Sequence, residues 1–456
     1  MRAACRYGLQ EVAHARTGVA AYPHEMKVLT PLQKRSSQVN GYQVQYLTAG
    51  ALLLVAISAV VALDGTAVWA RSGIQFASFT IAALGTGWLI RSARAPRIVA
   101  PMVVYCAIPL WGALQLMLGA SVDDFATRNA ILDSAVFGAL YFIAVQTFEH
   151  PNLRRRLLDV LFAFAFVVSV TALFSSVGQS IDRDHYCVFI ELLLPIGLYR
   201  ATERHSSRTL KKTIGPPLSG GRGSVSTYKL VNRFLSRVRK QAVFGLFQHP
   251  AGSSYVWAAL SASIVASALV AGSTAGCVLI GAELVAVPLL QVTRGPANGK
   301  NRYFRAAIPV LCILVLVAVF AAAVGWQQLA SRFEPGGPRD RGELAAVAIN
   351  MAHDRPLTGF GLGSFEAVYP AYALFDKGLH TSHAHNDWAE WAATGGLPLP
   401  VLYLTVFGLA LPLLVRKVWA IGVVAMCLHA LVDFPFEIPA LLVLNAILMG
   451  AASAGD

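Results

Sequence analysis

The chain has 456 residues, of which 56% are hydrophobic and only 13% charged, with a formal net charge of +13. Soluble domains carry about 25% charged residues, and the apolar residues here fall in long blocks instead of stripes. This excludes a set of ordinary soluble domains and predicts an all-α, polytopic integral membrane protein.

In chain order, residues 1–45 lack an apolar core of signal-peptide length and are expected to form a disordered cytoplasmic tail. A crossing helix needs about 20 mostly apolar residues, and about twelve such blocks follow, with ends defined to about 2 to 4 residues. They run over 46–63, 74–91, 99–118, 129–148, 157–177, 185–201, 253–271, 275–292, 306–329, 388–412, 417–433 and 437–454. The expected organisation is therefore nine spans within 46–329, a long outer loop at 330–387 and three spans within 388–456.

Lys and Arg fall in alternate turns: Lys27, Lys34 and Arg35; Arg91, Arg94 and Arg97; Arg154 to Arg156; the stretch 202–252; Arg294, Lys300, Arg302 and Arg305; Arg416 and Lys417. The positive-inside rule puts all of these in the cytoplasm, with both termini. The net charge is thereby assigned to orientation and anionic lipid, not to nucleic acid. In the basic loop 202–252, Leu230, Phe234 and Val238 recur at helical spacing, which fits either a helix on the inner leaflet or a solvated linker. The six cysteines are scattered and show no CxxC pair, so neither a disulfide framework nor a metal site is expected from them.

Three polar stretches interrupt this pattern, all on the expected outer side. In "IDRDHYCVFIELLLP", Arg183 is a fork-shaped donor suited to a phosphate, with Asp182, Asp184 and His185 able to hold it or simply to pair with it. Glu191, about two turns further, is costly in a span unless it faces the bundle interior. The long outer loop holds five basic residues, Arg332, Arg339, Arg341, Arg355 and Lys377, on the side the charge bias disfavours. In it "RGELAAVAINMAHDRP" predicts an amphipathic helix ended by Pro356, and "LTGFGLGSF" predicts a glycine-rich turn. Then "HTSHAHNDWAEW" gathers His383, His385, Asn386, Asp387 and Glu390 directly before an apolar run. An imidazole can accept a hydroxyl proton near neutral pH; alternatively these residues cap the tenth helix. His383, His385 and Asp387 also spell HxHxD, which resembles part of a binuclear metal signature, but that fold needs a soluble sandwich on the order of 200 residues. The third stretch, "CLHALVDFPFEIPA", brings His429, Asp433 and Glu437 to the last outer turn.

These pieces in this order resemble the O-antigen ligase and polymerase superfamily of bacterial envelope glycosyltransferases. The resemblance rests on "RGELAAVAINMAHDRPLTGFGLGSFEAVYPAY" followed by "HAHNDWAEWAATGGLPLP", with "DRDHYCVFIELLLP" and "HALVDFPFEIPA" in support. It implies a metal-independent transferase without a cofactor, in the bacterial inner membrane with its active site on the periplasmic face. The donor would be an undecaprenyl-diphosphate-linked glycan, and the acceptor a hydroxyl of lipid A-core, of another glycan or of a protein. It further implies His385, with His383 beside it, as catalytic, and Arg183 and Arg341 as diphosphate ligands. His185, Asn386, Asp387, Glu390 and Asp433 would support them. Two positions depart from the family pattern. Thr274 in "GSTAG" replaces a customary Arg, so Arg332 or Arg339 would supply the charge, and Asp182 and Asp184 replace Asn residues.

Within the family, ligase is favoured by the basic outer loop, with polymerase or protein glycosylation as alternatives. A secondary transporter or flippase would also have twelve spans with both ends inside, but it would place charges at the midplane and show an internal repeat.

Overall fold

The computed structural model describes residues 31–62, 68–174, 182–203, 250–294, 302–333, 338–373 and 381–455. The expected tail up to residue 30, the basic stretch around Leu230, Lys377 and the side chains of Arg332 and Arg339 lie outside the described residues. The chain divides into a unit Met1–Val44, of which the backbone from Pro31 is helical, and a unit Gln45–Asp456 that holds everything below.

The described residues are helical without strands. The helices are α1 (Pro31–Val61), α2 (Val68–Arg91), α3 (Ala100–Tyr105), α4 (Ala107–Met117), α5 (Asp124–Thr147), α6 (Pro151–Phe174) and α7 (Arg183–Thr202). Next come α8 (Pro250–Ala271), α9 (Thr274–Arg294), α10 (Arg302–Val324), α11 (Trp326–Ala330), α12 (Pro338–Asp354) and α13 (Phe365–Tyr372). The last are α14 (Asp387–Gly395), α15 (Pro398–Arg416), α16 (Gly422–His429) and α17 (Pro439–Ser453). Among the described residues, nine stretches are long and apolar enough to cross a membrane, and two shorter apolar helices cover 418–429 and 439–453. The protein is a polytopic helical membrane protein.

Helix α7 is the axis of the bundle. Seventeen of its 20 residues are buried, and it packs against α6, α8, α9 and α16. It falls outside the nine apolar stretches because it carries Asp184, His185, Glu191 and Arg200, which protein and not lipid surrounds. The approach of its neighbours is close: a Cβ on Gly197 would meet the Phe162 ring at 2.1 Å, and one on Gly422 would meet the Glu191 carbonyl at 2.2 Å.

Four expected spans are interrupted, the eleventh at Ile421 between a 3-10 turn over Val418–Ala420 and α16. The third breaks at Cys106 between α3 and α4, and the ninth ends at Gly325, whose φ of 96° stops α10. The tenth does not begin at 388. Residues 387–395 form the separate helix α14, Gly396 turns the chain with a φ of 66°, and Pro398 starts the crossing helix α15. Trp388, Trp391 and their apolar neighbours make the two helices look continuous in sequence. The structure spends those aromatics on packing, with Trp391 stacked on Tyr403 at 3.7 Å between centroids.

The basic turns gather at one end of the bundle. Arg97 exchanges hydrogen bonds with Gln146 (2.9 and 2.8 Å), Arg154 donates to Gly455 O (2.5 Å), and Arg200 pairs with Asp159 and Glu203 (2.5 and 3.1 Å). Arg183, Asp184 and His185 start α7 and Arg200 lies near its other end, so about 25 Å of helix separates the two sets.

Candidate active site

The residues that start α14 are tied to the turn after α16. Asn386 caps α14 by accepting from Ala389 N (3.0 Å), and its amide donates to Leu431 O (2.8 Å). Asp387 N donates to Ala430 O (2.9 Å), while the wholly buried Asp387 carboxylate accepts from Phe436 N (3.0 Å). Burial pushes that carboxyl well above the usual range. Asn386 and Asp387 therefore build the loop, and the capping expectation holds for Asn386.

The two histidines beside them take different partners. His383 Nδ1 meets Glu390 Oε1 at 3.1 Å, and the other Glu390 oxygen accepts from Ala384 N (2.7 Å). Burial would lower the His383 imidazole, but the Glu390 carboxylate outweighs it and the net direction is upward. His385 sits at φ 49°, a left-handed conformation uncommon for a residue with a Cβ and recurrent at functional sites. Its Nδ1 lies 3.0 Å from Asp433 Oδ1. With the Asp433 oxygen as acceptor, Nδ1 is the donor of this bond and Nε2 is the ring nitrogen left for another partner. Among the described residues, His383, His385 and Asp387 do not gather as one ligand group; their partners are Glu390, Asp433 and the Phe436 backbone.

The starts of α7 and α12 supply the cations, Arg183 and Arg341. Asp182 caps α7, accepting from Asp184 N (2.8 Å) and His185 N (3.3 Å). Asp184 stands between two arginines: Arg341 Nη2 donates to Oδ2 at 2.5 Å, and Arg183 Nε lies 3.9 Å from the same atom. Ser273 also bonds Asp184. Burial would lower Arg341, but Asp184 reverses this and holds the guanidinium charged. Arg341 also donates to Val432 O (3.3 Å), which fixes α12 against the same turn that carries Asp433. His185 reaches toward Asp433 Oδ2 at 3.7 Å and Asp182 Oδ1 at 3.9 Å, too long for hydrogen bonds. Among the described residues, Asp182, His185 and Asp433 bring one donor atom each within 4.8 Å, a spacing that a metal ion could bridge.

Residues from four separate parts of the chain thus meet: 182–185, Arg341, 383–390 and 429–437. Three participants were not expected from sequence. Ser273 gave no signal beyond a small residue in a turn. Phe434 lies among the rings of His383, His385 and His185. Arg71 of α2 pairs with Asp133 of α5 and helps to hold down Glu437, whose carboxyl burial and Glu390 push up to about 7. Glu191 and His429, both fully buried, hydrogen-bond each other at 2.8 Å beneath the site.

The glycine-rich turn acts on α14. Phe360 N donates to Ala393 O (3.1 Å) and Gly361 N to Thr394 O (2.9 Å), while Trp111 donates to Gly395 O (2.8 Å). Gln115 donates to Thr358 O (2.6 Å) and Thr394 O (2.8 Å) and accepts from Leu362 N (3.1 Å). The last carbonyls of α14, which no helix can satisfy internally, are met from elsewhere in the chain. A Cβ on Gly359 would sit 2.3 Å from Thr394 O, and Gly359, Gly361 and Gly363 all have positive φ.

Residues 257–404 match a family model described as O-antigen ligase. The match contains Arg341, the glycine-rich turn and His383 to Glu390, and it ends before Asp433. No curated protein matches the chain, and no solved structure does.

Proposed function

We propose that this chain, whose residues 257–404 match a family model described as O-antigen ligase, moves a glycan from an undecaprenyl-diphosphate carrier to an acceptor hydroxyl at the periplasmic face of the bacterial inner membrane. The observation that carries this reading is the meeting of a His–carboxylate pair, His385 and Asp433, with two arginines, Arg183 and Arg341, at one end of a membrane bundle. The opposite end holds the basic turns, which supports a cytoplasmic assignment for that end and an outer one for the site.

His385 Nε2 takes the acceptor hydroxyl proton as the oxygen attacks the anomeric carbon. The bond from that carbon to the diphosphate oxygen breaks, and the lipid diphosphate leaves with the electron pair. Arg183 and Arg341 meet the charge that develops on it. Asp433 holds the His385 tautomer and stabilises the imidazolium. Arg183, Arg341 and the imidazolium supply the positive charge, so transfer is expected to proceed in the presence of a chelator and calls for no nucleotide or redox cofactor.

Lipid A-core is the favoured acceptor because the loop that carries Arg341 and Arg355 is basic and that core is phosphorylated. Polymerase and protein glycosylation use the same chemistry on a different hydroxyl. The buried Glu191–His429 pair is the feature a transporter would use, and Glu191→Gln separates the two readings by abolishing transport while leaving transfer measurable.

The test is glycan transfer by purified protein in nanodiscs, with an undecaprenyl-diphosphate glycan, lipid A-core and EDTA. Wild type should turn over, His385→Ala should lose about 10²- to 10⁴-fold, and Arg183→Ala about 10²-fold. Chain growth without attachment to the core would make the protein a polymerase. An inert wild type, or a fully active His385→Ala, would overturn the assignment.

A further inference from the structure

The turn between α16 and α17 places one aromatic ring among three imidazoles. Phe434 stacks on His383 with centroids 4.3 Å apart and planes 18° from parallel. It meets His385 and His185 edge to face, each at 4.8 Å, with planes at 76° and 84°. These histidines come from α7 and from the loop before α14, so the ring is where two separate segments touch.

Their hydrogen bonds do not fix them. His383 and His385 each have one side-chain partner, Glu390 and Asp433, and a single bond pins one atom while leaving the ring free to swing about it. His185 has no hydrogen-bond partner at Nε2 although it is buried. A phenyl face against each ring fixes its plane, and offset or edge-to-face packing is the favoured geometry for such pairs. Phe434 is itself held: Glu437 N donates to Phe434 O (3.1 Å), Asp433 N to His429 O (3.1 Å) and Phe436 N to Asp387 (3.0 Å).

We propose that Phe434 is a positioning residue that sets the planes of His383, His385 and His185, aims His385 Nε2 at the acceptor hydroxyl and keeps water off the shared imidazole face. Its effect on catalysis rests on the transferase reading; its effect on the histidines does not. Phe434 meets the imidazole rings, and a misdirected base costs rate more than binding.

The experiment compares wild type, Phe434→Leu and Phe434→Tyr by two readouts. One is the rate at which diethyl pyrocarbonate modifies His383 and His385, followed by mass spectrometry of the full-length protein in nanodiscs. The other is kcat and donor KM for transfer. Phe434→Leu should be modified several-fold faster and lose about 10- to 100-fold in kcat with donor KM nearly unchanged, and Phe434→Tyr should restore both. Unchanged modification in Phe434→Leu overturns the proposal, as does a loss shared equally by kcat, donor affinity and melting temperature. If wild type transfers nothing, the transferase reading falls, and the modification rates still decide the role of Phe434.

Discussion

Asp433 is where the residue-scale argument can be tested with least disturbance. It accepts from His385 and lies beside His185, so Asp433→Asn keeps the shape, removes the negative charge and offers Nδ1 an NH2 donor that imposes the wrong tautomer. Transfer should fall about 10²-fold or more in kcat with donor KM little changed, measured on the same nanodisc preparation. Glu437 gives a pH effect of defined sign. Its carboxyl is raised from 4.5 to about 7 by burial, so the folded protein binds that proton more tightly than the unfolded chain does. Stability from this group is present below about 4.5 and declines as pH rises toward 7. Glu437→Gln should therefore melt higher than wild type at pH 8 and lose that advantage at pH 4.5, as read by thermal unfolding at the two pH values. The chemistry of the site was legible in the sequence as residue types: imidazoles, carboxylates and arginines in three outer stretches. Their pairing was not. His385 and Asp433 are 48 positions apart, Arg341 and Asp184 are 157 apart, and no spacing rule connects residues on different helices.

At the scale of elements, α14 shows how a short helix acquires a fixed position. A helix of nine residues is unstable alone, and this one is capped by Asn386 at its start and closed by Phe360, Gly361, Gln115 and Trp111 at its end. Gly359→Ala forces a Cβ into the Thr394 carbonyl at a positive φ, which should cost about 2 kcal/mol or more. Its melting temperature should drop together with transfer, whereas His385→Ala should lower transfer alone. Hydropathy located most helices because lipid-facing residues must be apolar. It misjudged the start of α15, since the aromatics of α14 are equally apolar but face protein. It also gave its weakest signal at α7, whose polar residues are enclosed by protein.

For the whole molecule, the separation of the basic turns from the site by the length of α7 predicts an orientation. With the native cysteines replaced, S382C should react with a membrane-impermeant maleimide applied to intact spheroplasts, and R94C should react only after lysis. Labelling of R94C from outside would invert the topology and remove the periplasmic site. The bundle as a class was readable from composition, because only helices with internally satisfied backbones survive in hydrocarbon.

Asp433 and Phe434 come after the last residue of the ligase match, on a turn between the two short apolar helices α16 and α17. Synthesis runs from the N-terminus, so His385 is threaded and inserted before the carboxylate and ring that orient it exist. A chain halted after α15 would hold most of the bundle and the arginines but only half of the base. On the transferase reading, competence would depend on α16 and α17 closing against α7 and α5.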